Sequence, residues 1–128
     1  MELKKYVLFN AECNNNIAKI KDLKIYDGYY TFTDELDGVG YTDNYLNIVK
    51  TSNNILDFVE VGDLIQCQYK KQSSDGKQWI ETPIYYVYGI TNTHFNLPVF
   101  SILKSDEHIT AIYKLQPNGD YKRYEVKA

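Results

Sequence analysis

Arginine is almost missing from this 128-residue chain: Arg123 stands alone beside 13 lysines. Proteins that read DNA sequence concentrate guanidinium groups, whose paired donors match the guanine edge, so one arginine equips the chain poorly for that task. Long apolar runs are missing too. No stretch approaches the roughly 18 residues of a membrane helix. The opening Met1-Glu-Leu-Lys-Lys-Tyr-Val-Leu-Phe9 has four apolar residues after its lysines, too few for a signal peptide. The expectation is a cytoplasmic protein of a host cell with no membrane partner.

Cysteine and histidine are scarce. Cys13, Cys67, His94 and His108 are the full set, and no two lie closer than 14 residues. Structural zinc sites draw ligands from close pairs, so no metal or other cofactor is expected, and a disulfide is not expected in a reducing compartment. Cys67 has no local signature of a nucleophile with a histidine base. Asp34 to Asp43 lacks the alternating ligands and terminal glutamate of a calcium loop. Gly38-Val39-Gly40 lacks the longer glycine pattern and Lys-Ser/Thr pair of a phosphate loop. Glu35 with Asp37, or Asp57 with Glu60, would be carboxylate pairs for Mg²⁺ or acid–base work, yet such pairs are more commonly solvated loop charges. Catalysis is not expected.

What is present is tyrosine, with 13 residues, in a chain that is 44 % apolar and 24 % charged. That composition supports one core, hence a single domain over 1–128. Tyrosine buries a large ring while its hydroxyl stays wet, which suits half-exposed strands and interfaces.

The pattern predicts a mainly β chain, an antiparallel β-roll or small β-barrel with one or two short helices, from seven or eight strands. Tyr6–Phe9 reads as a first strand and 10–16 as a polar loop. Ala18–Ile25 and Tyr29–Thr33 flank Asp27-Gly28, a hairpin turn signal; a short helix with Ile17, Ile20 and Leu23 on one face is the competing reading. Asp34–Asp43 reads as an acidic loop and Tyr45–Thr51 as a strand. Asn54 is placed to cap one helical turn through Asp57, and Val61-Gly62-Asp63 to launch a strand over 64–70. Ser73–Gly76 turns that strand into a long return over Trp79–Ile90, which Pro83 restricts to an edge or bulge and Gly89 bends. Ser105–Glu107 reads as a short helix start or a loop. Ala111–Leu115 and Tyr121–Val126 form a hairpin around Pro117–Asp120.

The segment Asn54-Ile-Leu-Asp-Phe-Val-Glu-Val-Gly-Asp-Leu-Ile65, followed by a strand pair and Ser101-Ile-Leu-Lys-Ser-Asp-Glu107, resembles small phage and prophage proteins of low-GC Gram-positive bacteria. The resemblance implies no catalytic residue. It implies a class rich in inhibitors of host defence nucleases, anti-CRISPR proteins among them.

Charge supplies the functional expectation. Between Asp27 and Asp63 eight acids face one base, Lys50, a segment charge of −7 within a chain of −3. Carboxylates interleaved with rings suit a basic groove on a partner, pairing with its lysines and arginines while the rings anchor. The expected function is a non-enzymatic, phage-encoded inhibitor presenting an acidic, Tyr-rich surface as a nucleic-acid mimic. That surface comprises Asp27, Tyr29, Tyr30, Asp34, Glu35, Asp37, Tyr41, Asp43 and Tyr45. Its expected partner is a host protein with a basic nucleic-acid-binding groove; nucleic acid itself is not expected, and self-association is left open. The alternative is a β-barrel module that binds single-stranded nucleic acid through Tyr85, Tyr86, Tyr88 and Trp79 with Lys70, Lys71 and Lys77.

Overall fold

A computed structural model describes residues 3–11, 14–44 and 48–126, without side-chain placement for 10, 11, 14, 15, 43 and 44. The chain is mainly β, with antiparallel strands and a single 3₁₀ turn as its helical content among the described residues. It divides into two compact units, Met1–Phe58 and Val59–Ala128.

The first unit is one five-stranded sheet. Its strands are β1 (Tyr6–Ala11), β2 (Asn14–Ile25), β3 (Tyr29–Asp34), β4 (Gly40–Asn44) and β5 (Ile48–Ser52), in the order β4-β3-β2-β1-β5. The β1–β2 ladder continues past Leu8↔Ile17 to Asn10↔Asn15 and Ala11↔Asn14. The polar stretch read as a loop over 10–16 is therefore largely strand, because ladder bonds are made by the backbone and need no apolar side chain. The expected hairpin at Asp27-Gly28 forms: Gly28 has φ +83°, and the Tyr26 amide donates to the Tyr29 carbonyl at 2.9 Å. The competing helix over 17–23 does not, since those residues lie in β2.

Strand alternation assembles this unit's core. Tyr30, Phe32 and Asp34 point inward from β3, and Val7, Phe9, Ala18, Tyr30, Phe32 and Ile48 pack together. The Phe9 ring meets Phe32 and Tyr41 edge-on, with centroids 6.0 and 5.1 Å away. The acidic loop is shorter than expected: Gly40 to Asp43 pair with β3, opposite Thr33 to Tyr30. Asn54 caps the 3₁₀ turn, Ile55–Phe58, its Oδ1 accepting from the Leu56 amide at 3.0 Å, as the sequence predicts.

The second unit holds three sheets. Gly62, at φ +101°, turns the chain into β6 (Leu64–Cys67). β6 lies between β9 (Ile84–Tyr86) and β13 (Ile109–Leu115), and β14 (Tyr121–Glu125) forms the far edge, giving β14-β13-β6-β9. The 64–70 strand breaks at Gln68, and β7 (Tyr69–Gln72) pairs with β8 (Gln78–Glu81) as a separate two-stranded ribbon. β10 (Gly89–Ile90), β11 (His94–Asn96) and β12 (Ser101–Leu103) make the third sheet.

The run 79–90 is thus three strands in three sheets instead of one return strand. Pro83 sits at the first break, where its carbonyl accepts from the Cys67 amide at 3.0 Å and no donor is needed. Residues 105–107 form turns, the loop alternative. The mainly β, antiparallel and nearly helix-free architecture is the expected one, and among the described residues no sheet closes into a barrel. Ile65, Val87, Phe95, Leu97, Ile109 and Ile112 are among the fully buried side chains. Among the described residues no helix is long and apolar enough to cross a membrane.

Candidate interaction surfaces

The predicted acidic and aromatic surface is dispersed by the fold. Tyr30 is 0 % exposed and Asp34 3 %, so neither is presented to a partner. Tyr30 follows the outward Tyr29 on an alternating strand and must face the core. Asp34 is drawn in by its hydrogen bonds: its Oδ1 accepts from the Lys19 amide at 3.1 Å and the Leu36 amide at 2.9 Å, which pins the β3–β4 turn against β2. Tyr41 packs on the same core. Asp43 stands opposite Tyr30 in the ladder, and Tyr45 lies outside the described residues.

Asp27, Tyr29, Glu35 and Asp37 are exposed, but they fall at two ends of β3. Tyr29 begins that strand and Asp34 ends it, five steps of about 3.3 Å, so roughly 17 Å separates the two groups. At the Glu35 end the carboxylates are engaged locally. Glu35 pairs with Lys19 Nζ at 3.2 Å, and Asp37 accepts from the Val39 amide at 2.8 Å and the Tyr41 hydroxyl at 3.2 Å. Further along the acidic segment, Asp57 accepts from the Ser52 hydroxyl. Asp63 is buried against Lys114, with Nζ 2.6 Å from Oδ2.

The other end is different in kind. The Tyr26 and Tyr29 rings stack across the β2–β3 turn, centroids 4.8 Å apart and 13° from parallel, and both rings are exposed. Ile25 beside them is 63 % exposed. A register shift between Lys21 and Lys24 opens a bulge in β2, where Asp22 takes φ +55°, a left-handed conformation uncommon outside glycine. A bulge bends and twists the strand that carries it, here just before the tip. Sequence reasoning passed over Ile25 and Tyr26; their position directly before Asp-Gly, where a hairpin leaves the sheet, was the available signal.

In the second unit, the residues named for single-strand binding also separate. Tyr85 is half-buried and meets Phe100 edge-on at 5.1 Å, and burial pushes its hydroxyl pKa up. Tyr86 is exposed on the opposite side of β9, and Tyr88 lies past the strand's end. Trp79, Lys70 and Lys71 share the β7–β8 ribbon, Lys71 directly opposite Trp79 in the ladder, while Lys77 precedes β8.

Near the ribbon's base, Tyr69 stacks obliquely on His108 at 4.8 Å, and His108 Nδ1 lies 2.7 Å from Asp106 Oδ1. Cys67 beneath is fully buried, and burial raises its thiol pKa. Among the described residues no cluster of three or more Cys, His, Asp or Glu is arranged to hold a metal ion. Comparison with known proteins finds no match: no family model, curated protein or solved structure aligns with the chain.

Proposed function

We propose that the protein acts by binding rather than catalysis, and that the tip of the β2–β3 hairpin in its first unit docks on a protein partner. The observation that supports this is the stacked Tyr26–Tyr29 pair with Ile25 beside it, all exposed. Rings held against each other lose little further freedom on binding, bury large areas and keep their hydroxyls available, the properties of interface anchors. Asp22 and Asp27 flank the anchors together with Lys21 and Lys24, while residues 1–58 as a whole carry nine acids against six bases. That balance favours a partner with a basic surface, and complementary potential would speed the encounter.

A nucleic-acid-binding protein of a host defence system fits those requirements. The phage inhibitor reading, anti-CRISPR-like in kind, rests on the resemblance of Asn54–Ile65 and on this charge balance. Mimicry by one broad acidic face is replaced by an aromatic anchor with mixed-charge flanks on an acidic unit. The test is affinity capture from a bacterial host lysate with the wild-type chain and with Tyr26→Ala/Tyr29→Ala. The wild type should retain a nucleic-acid-binding protein that the double variant loses, with retention weakening as salt rises. Equal retention by both chains overturns the proposal.

A further inference from the structure

The second unit carries a surface of different chemistry, independent of the hairpin tip. Among the described residues β7 and β8 pair only with each other, and every residue of these two strands except the half-buried Tyr69 is exposed. Trp79, the chain's only tryptophan, is 45 % exposed there. Among the described residues no other strand covers this ribbon, so the indole is open to serve as a stacking platform.

Two open grooves meet on this ribbon. One, about 690 Å³, is lined by Lys70, Lys71, Gln72, Gln78, Trp79 and Ile80. The other, about 620 Å³, includes Lys70 and Lys71 again and runs on to Gln68, Tyr69 and His108. The shared lysines are adjacent on β7, so they point to opposite faces, Lys71 to the face of Trp79, its ladder partner, and of Tyr69, whose ring its Nζ overlies at 5.6 Å. The first groove has the indole of Trp79 as its aromatic element, the second the Tyr69–His108 pair, and both lysines line each of them. Glutamine amides line both grooves.

We propose that this ribbon binds a short segment of single-stranded nucleic acid, its phosphates at Lys70 and Lys71 and its unpaired bases on Trp79 and on the Tyr69–His108 stack. Stacking on rings is tolerant of sequence, and amides can meet exposed base edges, so neither step needs more than the single arginine this chain has. Charge complementarity is local. Among the described residues no carboxylate forms an ion pair with Lys70, Lys71 or Lys77. Glu81 accepts from Trp79 Nε1 at 3.1 Å and so holds the indole, and Asp75 is bound within the 73–77 turn by Ser73 and the Lys77 amide. Glu107 lines the second groove and adds one negative charge at its end, so affinity should centre on residues 70–71.

Titration with a 12-nucleotide oligo(dT) or oligo(U), followed by Trp79 fluorescence at low salt, tests the proposal on the whole chain. Quenching that saturates is expected, as the only indole lies in the site. Fluorescence anisotropy of the labelled oligonucleotide then reads the variants. Lys70→Gln/Lys71→Gln should weaken binding about tenfold or more and flatten the slope of log K against log salt by about 1.4, two phosphate contacts at roughly 0.7 each. Trp79→Ala should also weaken binding about tenfold. Lys21→Gln/Lys24→Gln in the first unit should leave it unchanged. Absent quenching, tighter binding of the matching duplex, equal binding by inorganic polyphosphate, or wild-type affinity in Lys70→Gln/Lys71→Gln would each overturn the proposal. Oligo(dT) and oligo(U) separate a DNA from an RNA ligand within it. The oligonucleotide is used alone, so the result does not depend on the protein partner of the hairpin tip.

Discussion

Lys114 and Asp63 form a buried ion pair across 51 residues of sequence, Nζ 2.6 Å from Oδ2, with both side chains about 5 % exposed or less. Asp63 does more than neutralise the lysine. It accepts from the Glu60 amide at 2.8 Å and the Leu115 amide at 3.2 Å, so one carboxylate ties the turn that launches β6 to the end of β13.

Removing Lys114 leaves the buried Asp63 carboxylate with its two amide donors but no lysine, and removing Asp63 leaves Lys114 to the more distant Glu60 at 3.5 Å; breaking such a pair costs about 3 kcal/mol. Lys114→Met should lower the urea midpoint accordingly, and Asp63→Ala should lower it further because two amides also lose their acceptor. A Lys114→Met protein as stable as wild type would mean the pair contributes nothing.

Steering should depend more on Asp27, beside the anchors, than on Glu35. Asp27→Lys is expected to slow association with the captured partner several-fold at low salt. Glu35→Lys should slow it less, since Glu35 lies at the far end of β3 and already pairs with Lys19. Stopped-flow rates at two salt concentrations decide this; equal slowing by both would restore a single broad acidic face.

Alkaline pH should expose the Tyr69–Cys67 pair. The Tyr69 hydroxyl is pushed up to about 12, by burial first and then by the neighbouring Cys67, which also accepts a hydrogen bond from it. A phenol whose folded pKa lies above its unfolded value holds its proton better when folded. Its stabilisation is therefore complete below about pH 10 and lost as pH rises from 10 to 12. In urea melts over that window, Tyr69→Phe should lose less stability than wild type. The Cys67 thiol, also raised by burial, should resist thiol reagents at neutral pH in a Cys13→Ser background.

Local features were legible in the sequence. The turns at Asp27-Gly28, Ser73–Gly76 and Pro117–Asp120 were readable because glycine supplies the positive φ each one uses, and the Asn54 cap because its acceptor lies two residues from its donor. What went unread was non-local. Tyr29 and Tyr30 look alike in sequence, and only the packing of β3 on Phe9 and Val7 decides which is inside. The charge run over Asp27–Asp63 concealed that Asp34 serves a turn and Asp63 a lysine in β13. β11 and β12 are three residues each, too short to display a period. The ribbon could be guessed from Ser73–Gly76, but not that it would leave the sheet containing β6.

Because the β7–β8 ribbon is a two-stranded sheet of its own, its length is free to drift. Residues added or removed in matched pairs about the Ser73–Gly76 turn would shift no register in β6, β9 or β13, so related chains could carry longer or shorter arms on an unchanged scaffold. Variation of that sort alters reach without remaking the body that bears it.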